Sequence, residues 1–273
     1  MSPVLQSLLF VPGSRPERFA KALASGADCV CIDLEDAVPP EGKDAARAAA
    51  LEAVAADPRH AIRINGLRTR AGLADLLAIA AAPLRPRVVL VPMVEDAAEM
   101  AIARQVLADP AIMLVPLVET VRGLANAAAI AADPAVGLVM FGGGDFSAEL
   151  GVALAWEPLL VARAQLVMAC ASAGKGVLDV PFIALDDEAG LAEDCARAKA
   201  LGMVAKAAIH PAQIAAIHTA FRPSATELEE AEAAAAAWAE AGGGAVRFRG
   251  KMLEAPVMAR YNKILALKEK IDA

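Results

Sequence analysis

The chain has 273 residues, 58% of them hydrophobic, and carries 26 Lys and Arg against 33 Asp and Glu, for a formal net charge of −7. That length is close to the usual size of an eightfold βα barrel. The acidic balance argues against a general nucleic-acid binder, whose affinity rests on clustered cations. No stretch approaches the roughly 18 uncharged apolar residues that a membrane-spanning helix needs. Met1–Gln6 lack a basic start followed by a long apolar run, which predicts no signal peptide and a cytoplasmic protein.

In chain order, short apolar runs alternate with alanine-rich segments of helical composition. Strands are predicted at Leu8–Pro12, Cys29–Leu34, Ala61–Asn65, Val88–Pro92, Met113–Val118, Gly137–Phe141, Gly176–Val180 and Val204–Ile209. Several are continuously apolar, the pattern of strands buried on both faces of a parallel sheet. Helices are predicted between them at Arg15–Ala24, Lys43–Ala56, Leu73–Ala81, Ala97–Leu107, Gly123–Ala132, Leu159–Ala173 and Glu188–Leu201. Eight strands alternating with helices define an α/β fold, either a closed (β/α)8 barrel or an open doubly wound sheet. No Gly-x-Gly-x-x-Gly turn follows the first strand, and Gly142–Gly144 lacks the lysine of a phosphate loop, so the barrel is favoured.

After the eighth strand a helix is predicted at Ile214–Phe221, broken by Arg222-Pro223-Ser224. Ser224 with Glu227 is a capping-box pattern opening a helix that runs to Ala241. An extended segment at Val246–Glu254 and a last helix at Pro256–Ile271 follow. The expected organisation is a barrel over residues 1–220 and a C-terminal helical extension over 221–273. The extension is placed over a barrel end or on a neighbouring subunit.

Cys29-x-Cys31 lies in a predicted strand, and its side chains are expected on opposite faces. The spacing suits neither a disulfide nor a zinc pair. With Cys170 and Cys195 they read as buried thiols.

In a barrel the chemistry gathers where strands end and loops begin. Strand two ends in Asp33-Leu34-Glu35-Asp36, strand three in Arg63-Ile64-Asn65, strand five in Glu119, strand six in a glycine turn and Asp145, and strand eight in His210. Carboxylates converging with one arginine are costly without a cation, and Mg²⁺ needs only one or two of them. Glu119 and Asp145 are therefore candidate ligands. By position alone they serve equally as acids at helix N-termini. Arg63 suits a carboxylate or enolate oxygen, or else a buried ion pair with Glu35 or Asp36. His210, beside Pro211, is as compatible with packing as with catalysis. Trp156, Trp238 and Tyr261 are too sparse for a base-stacking surface.

The motifs taken together are specific. Leu9-Phe10-Val11-Pro12-Gly13 with Arg15-Pro16-Glu17-Arg18-Phe19, then Ile32-Asp33-Leu34-Glu35-Asp36-Ala37-Val38, resemble the opening of the citrate lyase β-subunit-like acyl-CoA lyases, the HpcH/HpaI aldolase/citrate lyase family. Arg63-Ile64-Asn65, Glu119-Thr120 with Gly123, Phe141-Gly142 through Asp145-Phe146, Ile209-His210-Pro211-Ala212-Gln213 and Gly250-Lys251-Met252 follow in the family's order. The resemblance spans nearly the whole chain.

The resemblance implies a (β/α)8 barrel, a homotrimer or hexamer, that cleaves 3-hydroxyacyl-CoA thioesters of the citryl-, malyl- or citramalyl-CoA type to acetyl-CoA and a 2-oxo acid. It implies Mg²⁺, with Mn²⁺ as an alternative, held by Glu119 and Asp145. It implies that Arg63 contacts the substrate's oxygens, with Glu35 and Asp36 near the metal's water. Arg15, Arg18 and Lys21 fall in the segment expected at the CoA phosphates. Glu254 stands where the family has an acid reaching a neighbouring subunit's site, as a candidate base. This chain departs at Pro92-Met93, where the family commonly has Pro-Lys, and at Glu254, where Asp is commoner. The partner is a small-molecule acyl-CoA, not nucleic acid or membrane. Alternatives are a class II pyruvate-type aldolase without CoA, a citrate lyase β subunit or metabolite-binding module acting in an assembly with an acyl-carrier partner, and a thioesterase.

Overall fold

Val, Ile, Leu and Ala dominate the short strands, and nearly all their residues are buried. The computed structural model, which describes residues 5–272, closes these strands on themselves. The N-terminal segment Met1–Gln6, for which no signal peptide is expected, lies mostly outside the described residues. Strands β1 (Ser7–Pro12), β2 (Cys29–Asp33), β3 (His60–Arg63), β4 (Val88–Val91), β5 (Met113–Val118), β6 (Leu138–Phe141), β7 (Gly176–Asp179) and β8 (Ala205–Ala208) form a closed parallel barrel in sequence order. Closure is made by β1 pairing with β8, Leu8 opposite Ala207. The expected (β/α)8 barrel is thereby found, and the open sheet is excluded.

Alternate side chains of each strand fill the interior. Leu8, Cys29, Cys31, Ala61, Leu90, Val115, Leu117, Met140, Leu178 and Ala207 form one buried cluster, so the barrel is packed and not hollow. Cys29 and Cys31 both belong to it. The expectation of opposite faces is corrected, because residues two apart in a strand share a face. Burial pushes the Cys29 thiol up to about 12, which leaves it protonated and inert.

The surrounding helices are α1 (Phe19–Leu23), α2 (Lys43–Ala56), α3 (Arg70–Ala81), α4 (Ala97–Leu107), α5 (Val121–Ala125), α6 (Ala127–Ala131), α7 (Gly143–Leu150), α8 (Trp156–Ser172), α9 (Glu188–Leu201) and α10 (Gln213–Phe221). Three sequence expectations need correction. The single helix at Gly123–Ala132 is two short helices, hinged at Asn126, whose side chain leaves to donate to the Glu95 carbonyl at 2.7 Å. The glycine turn after β6 is the first turn of α7. The Arg15–Ala24 helix opens as a 3₁₀ turn at Pro16–Arg18, where proline supplies no backbone donor, and α1 is correspondingly short.

The chain divides into two compact units, Leu5–His218 and a second one covering the described residues 219–272. The second unit holds α11 (Ala225–Glu240), β9 (Val246–Phe248), β10 (Lys251–Leu253) and α12 (Ala255–Asp272). Ser224 and Glu227 form the expected capping box on α11. The segment expected to be extended is a hairpin turning at Arg249–Gly250, both at positive φ. Ala234, Leu253 and Met258, with Trp238, Phe248 and Tyr261 against them, form this unit's own core.

One polar network lies inside the barrel wall. Lys206 and Asp179 have fully buried side chains and meet at 2.7 Å. Lys206 also reaches Asp194 at 2.5 Å, and Asp179 accepts from Arg163 at 2.9 Å. Removing one member strands a buried charge, so Lys206→Ala is expected to cost about 3–5 kcal/mol, read as a shift in the urea unfolding midpoint. A cost below about 1 kcal/mol would mean that water solvates the freed Asp179.

Candidate active site

At the C-terminal ends of the strands, the register sets two residues side by side. Asp33, last in β2, is paired with Arg63, last in β3. Their side chains therefore leave the same face and meet as a fork. Arg63 donates from Nε to Asp33 Oδ1 and from Nη2 to Asp33 Oδ2, both at 2.7 Å. Nη1 lies 2.8 Å from Glu35 Oε2, and Nη2 lies 3.5 Å from Asp36 Oδ2. The ion-pair reading of Arg63 is thus present, but its principal partner is Asp33, not Glu35 or Asp36. Burial opposes the guanidinium's charge. The hydrogen bonds to Asp33 and the charges of Asp33, Glu35 and Asp36 outweigh it and hold the pKa above the ordinary value.

Asp33 is saturated. Beyond Arg63 it accepts from the backbone N–H of Glu35 at 2.9 Å and of Ala37 at 3.2 Å. Lys43 closes the same loop from outside, donating to the carbonyls of Leu34 at 2.8 Å and Glu35 at 2.6 Å. Sequence reasoning gave neither residue a role. Asp33 was findable, since two adjacent parallel strands ending in opposite charges predict this pair. Lys43 was not, because only the loop's path brings it near.

Glu119 follows β5 and is 3% exposed. The helix-cap reading fails for it. Thr120 caps α5, accepting from the Gly123 N–H at 3.0 Å, while Glu119 turns inward and its Oε1 accepts from the Met93 N–H at 2.6 Å. Gly142, after β6, makes room for it. A Cβ there would lie 2.3 Å from Glu119 Oε2. Asp145 occupies the first turn of α7 and is exposed, so for this residue the helix N-terminus and the pocket are the same place.

These groups line a cavity of about 350 Å³ that includes Arg18, Asp33, Asp36, Arg63, Glu119 and Asp145. A second cavity of about 390 Å³ is lined by Arg18, Lys21 and His210. Phe10, Val11, Pro12, Arg18 and Ile209 line both. Arg15 lines neither and faces Glu17 at 3.8 Å. His210 lies two residues beyond β8. Its Nδ1 accepts from the Ala212 N–H at 3.2 Å, so it shapes the turn while its ring remains exposed. Glu254 belongs to the second unit, exposed at the start of α12, where its carbonyl accepts from the Met258 N–H.

The carboxylates raise one another's pKa. Burial, then Glu35 and Asp145, lift Glu119 to about 8 against the opposing Met93 N–H and Arg63. Burial, then Asp36, Asp33 and Asp145, lift Glu35 to about 7 against Arg63. No cluster of three or more His, Cys, Asp or Glu suited to a metal occurs among the described residues. A site built on two carboxylates, with water and substrate completing the shell, needs no such cluster and fits a hard, oxygen-seeking ion. Glu119 supports the fit, being a buried acid with one oxygen fixed and the other beside a glycine.

The chain belongs to the HpcH/HpaI aldolase/citrate lyase family, whose model matches residues 6–211; a model of carbon–carbon bond lyases of the TIM-barrel fold matches residues 165–271. It is a carbon–carbon lyase by that membership. It is 37% identical to a citrate lyase subunit beta-like protein of Deinococcus radiodurans, over 96% of this chain and 97% of the relative. It is 35% identical to a (3S)-malyl-CoA thioesterase of Cereibacter sphaeroides, over 98% and 96%. The solved structure of the protein CitE of Mycobacterium tuberculosis, in complex with magnesium, acetoacetate and coenzyme A, is 34% identical. It superposes with a TM-score of 0.84 over 97% of this chain and 98% of that one.

Without a bound cation, the raised acids set the pH dependence of stability. Between their unfolded value of about 4.5 and their folded values, the folded state binds more protons than the unfolded state. Their contribution is therefore greatest at low pH and is lost as pH rises through about 7 for Glu35 and about 8 for Glu119. Calorimetry in EDTA is expected to show Tm falling from pH 6 to pH 8.5, with a shallower fall in Glu119→Gln. Equal slopes in the two proteins would show that Glu119 titrates normally.

Proposed function

We propose that this protein is a divalent-metal-dependent lyase that cleaves a 3-hydroxyacyl-CoA thioester to acetyl-CoA and a 2-oxo acid. Citryl-, citramalyl- and malyl-CoA are the candidate substrates. The observation that carries the reading is the pair of joined cavities. One gathers Glu119, Asp145 and Arg63, the other adds Lys21, and Arg18 lines both beside a shared apolar wall. An acid half fits the first cavity. A long thioester arm with an anionic end fits the second.

Glu119 and Asp145 are the residues that would hold Mg²⁺, or Mn²⁺. When bound, the ion supplies Lewis-acid polarisation of the substrate's hydroxyl and carboxylate oxygens. The chain's own groups do the rest. Arg18 and Lys21 hold the CoA end, with Arg15 at the rim of the same segment. Glu254, supplied by a neighbouring subunit of a trimer or hexamer, is the proposed base for the hydroxyl proton. As that proton leaves, the C–O bond becomes a carbonyl and the adjacent carbon–carbon bond breaks. Its electron pair passes to the thioester as an enolate, which is then protonated to acetyl-CoA. Arg63 faces the enolate oxygen. Asp33 fixes two of its nitrogens, and the third lies beside Glu35. Glu35 and Asp36 would lie near water bound to such an ion. No helix of the described chain is long and apolar enough to cross a membrane, and we place the protein in the cytoplasm.

A second reading is favoured by the (3S)-malyl-CoA thioesterase relative. In that case water attacks the thioester carbonyl, and the products are free CoA and the hydroxy acid. One assay separates the two. The purified protein is incubated with each thioester, with and without Mg²⁺, and products are resolved chromatographically. Metal-dependent acetyl-CoA with a 2-oxo acid supports the lyase, whereas free CoA with intact hydroxy acid supports the thioesterase. No product from any thioester moves the reading to a CoA-free aldolase or to a β subunit that needs an acyl-carrier partner. Glu119→Ala and Asp145→Ala are expected to lose metal-dependent turnover and keep the fold, and retained turnover in both would overturn the ligand assignment.

Gly142→Ala tests the pocket from the other side. Its methyl would stand 2.3 Å from Glu119 Oε2, so the carboxylate must move. Turnover is expected to fall on the order of 100-fold, the usual result of displacing a catalytic group by about 1 Å. Near-native kcat/KM would show that Glu119 has room to shift without consequence.

A further inference from the structure

Glu119 is aimed by a backbone, and that backbone is held in an uncommon state. Met93 has φ of 55°, in the left-handed region that non-glycine residues seldom occupy. In this conformation its N–H points at Glu119 Oε1, 2.6 Å away, and leaves Oε2 on the side of Gly142. A methionine held so must be clamped by its surroundings. The clamp is Arg68, in the loop between β3 and α3. Its Nη2 donates to the Met93 carbonyl at 2.6 Å, and its Nη1 is bonded to Glu95 two residues on. Val94 and Glu95 are themselves anchored. The Val94 N–H donates to the Leu117 carbonyl at 3.2 Å, the Glu95 N–H to Glu99 Oε1 at 2.9 Å, and Asn126 Nδ2 to the Glu95 carbonyl at 2.7 Å. Arg68 thus grips both ends of a short arch, residues 93 to 95, whose first residue carries the donor for Glu119.

We propose that Arg68 is a positioning residue for the metal site: by holding Met93 in its left-handed conformation, it fixes Glu119 with one oxygen free for the cation. The inference rests on the reading of Glu119 as a metal ligand. Arg68 does not itself line the cavity with Glu119 and Asp145. Its effect therefore passes through the backbone dihedrals of Met93, which join the carbonyl it holds to the N–H that meets Glu119, and not through contact with substrate. It also gives position 93 a role that needs no side chain, only a backbone willing to take positive φ.

The test is Mn²⁺ binding to the full-length protein without substrate, followed by the EPR signal of free Mn²⁺. Arg68→Ala is expected to weaken binding roughly 10-fold, the usual cost of losing a group that orients a metal ligand, with the far-ultraviolet circular dichroism unchanged. Glycine takes positive φ without strain, so Met93→Gly in the Arg68→Ala background is expected to restore affinity to near wild type. Arg68→Lys, with one ammonium for two acceptors, is expected to fall between. Wild-type affinity in Arg68→Ala overturns the proposal. So does a loss that Met93→Gly fails to rescue, since that loss would come from general loosening of the loop. Glu119→Gln separates the premise from the inference. If it binds Mn²⁺ as tightly as wild type, the ligand reading fails; if it loses binding while Arg68→Ala does not, only the positioning role fails.

Discussion

The mouth of the barrel holds more negative charge than its own cations can offset. Asp33, Glu35, Asp36, Glu119 and Asp145 converge there on Arg63, with Arg18 at the edge of the cavity. The structure handles this surplus unequally. Asp33 is fully spent, taking two bonds from Arg63 and two from backbone N–H groups. Glu119 receives one N–H and is buried, and that burial pushes its pKa up to about 8. A protein of marginal stability does not keep such an acid where an amide would be cheaper, unless something binds it. On the proposed reading, that surplus is what a bound cation would balance.

The scaffold accounts for the precision. A parallel barrel fixes neighbouring strands in register, so residues ending adjacent strands face each other at set spacing. Asp33 opposite Arg63 is one case, and Val118 opposite Phe141 sets Glu119 beside Gly142 in the same way. Strand ends are the rigid part of the fold, while the loops beyond them are free to vary. Here the loops are also pinned by side chains reaching back to carbonyls. Lys43 holds Leu34 and Glu35, Asn126 holds Glu95, and Gln213 holds Phe182 while accepting from Ile209 and His210. Each of these bonds removes freedom that substrate would otherwise have to freeze.

The barrel was legible because its signals are local and repeated. Eight apolar runs at strand length, separated by helical stretches, admit few topologies. The acids and Arg63 were legible because strand ends are the positions where polar residues have a reason to be. What escaped notice depends on geometry that sequence does not encode at short range. The partner of Arg63 was sought in Glu35 and Asp36, both on the loop, while the register selects Asp33. The helix beginning at Gly143 was read as a turn because three glycines seldom open a helix. At the cap, glycine is required because a side chain at 142 would collide with Glu119. Local propensity was overridden by the needs of the site.

Met93 shows the same override in the backbone. From sequence, its distinguishing feature is the absence of a basic side chain commonly found at that point. In the structure its φ of 55° matters more, because it directs the amide at Glu119. A side chain that reaches into the pocket and a backbone that holds a ligand make separate demands on one residue. The backbone conformation cannot change without moving Glu119. A position of this kind constrains φ more tightly than it constrains residue type.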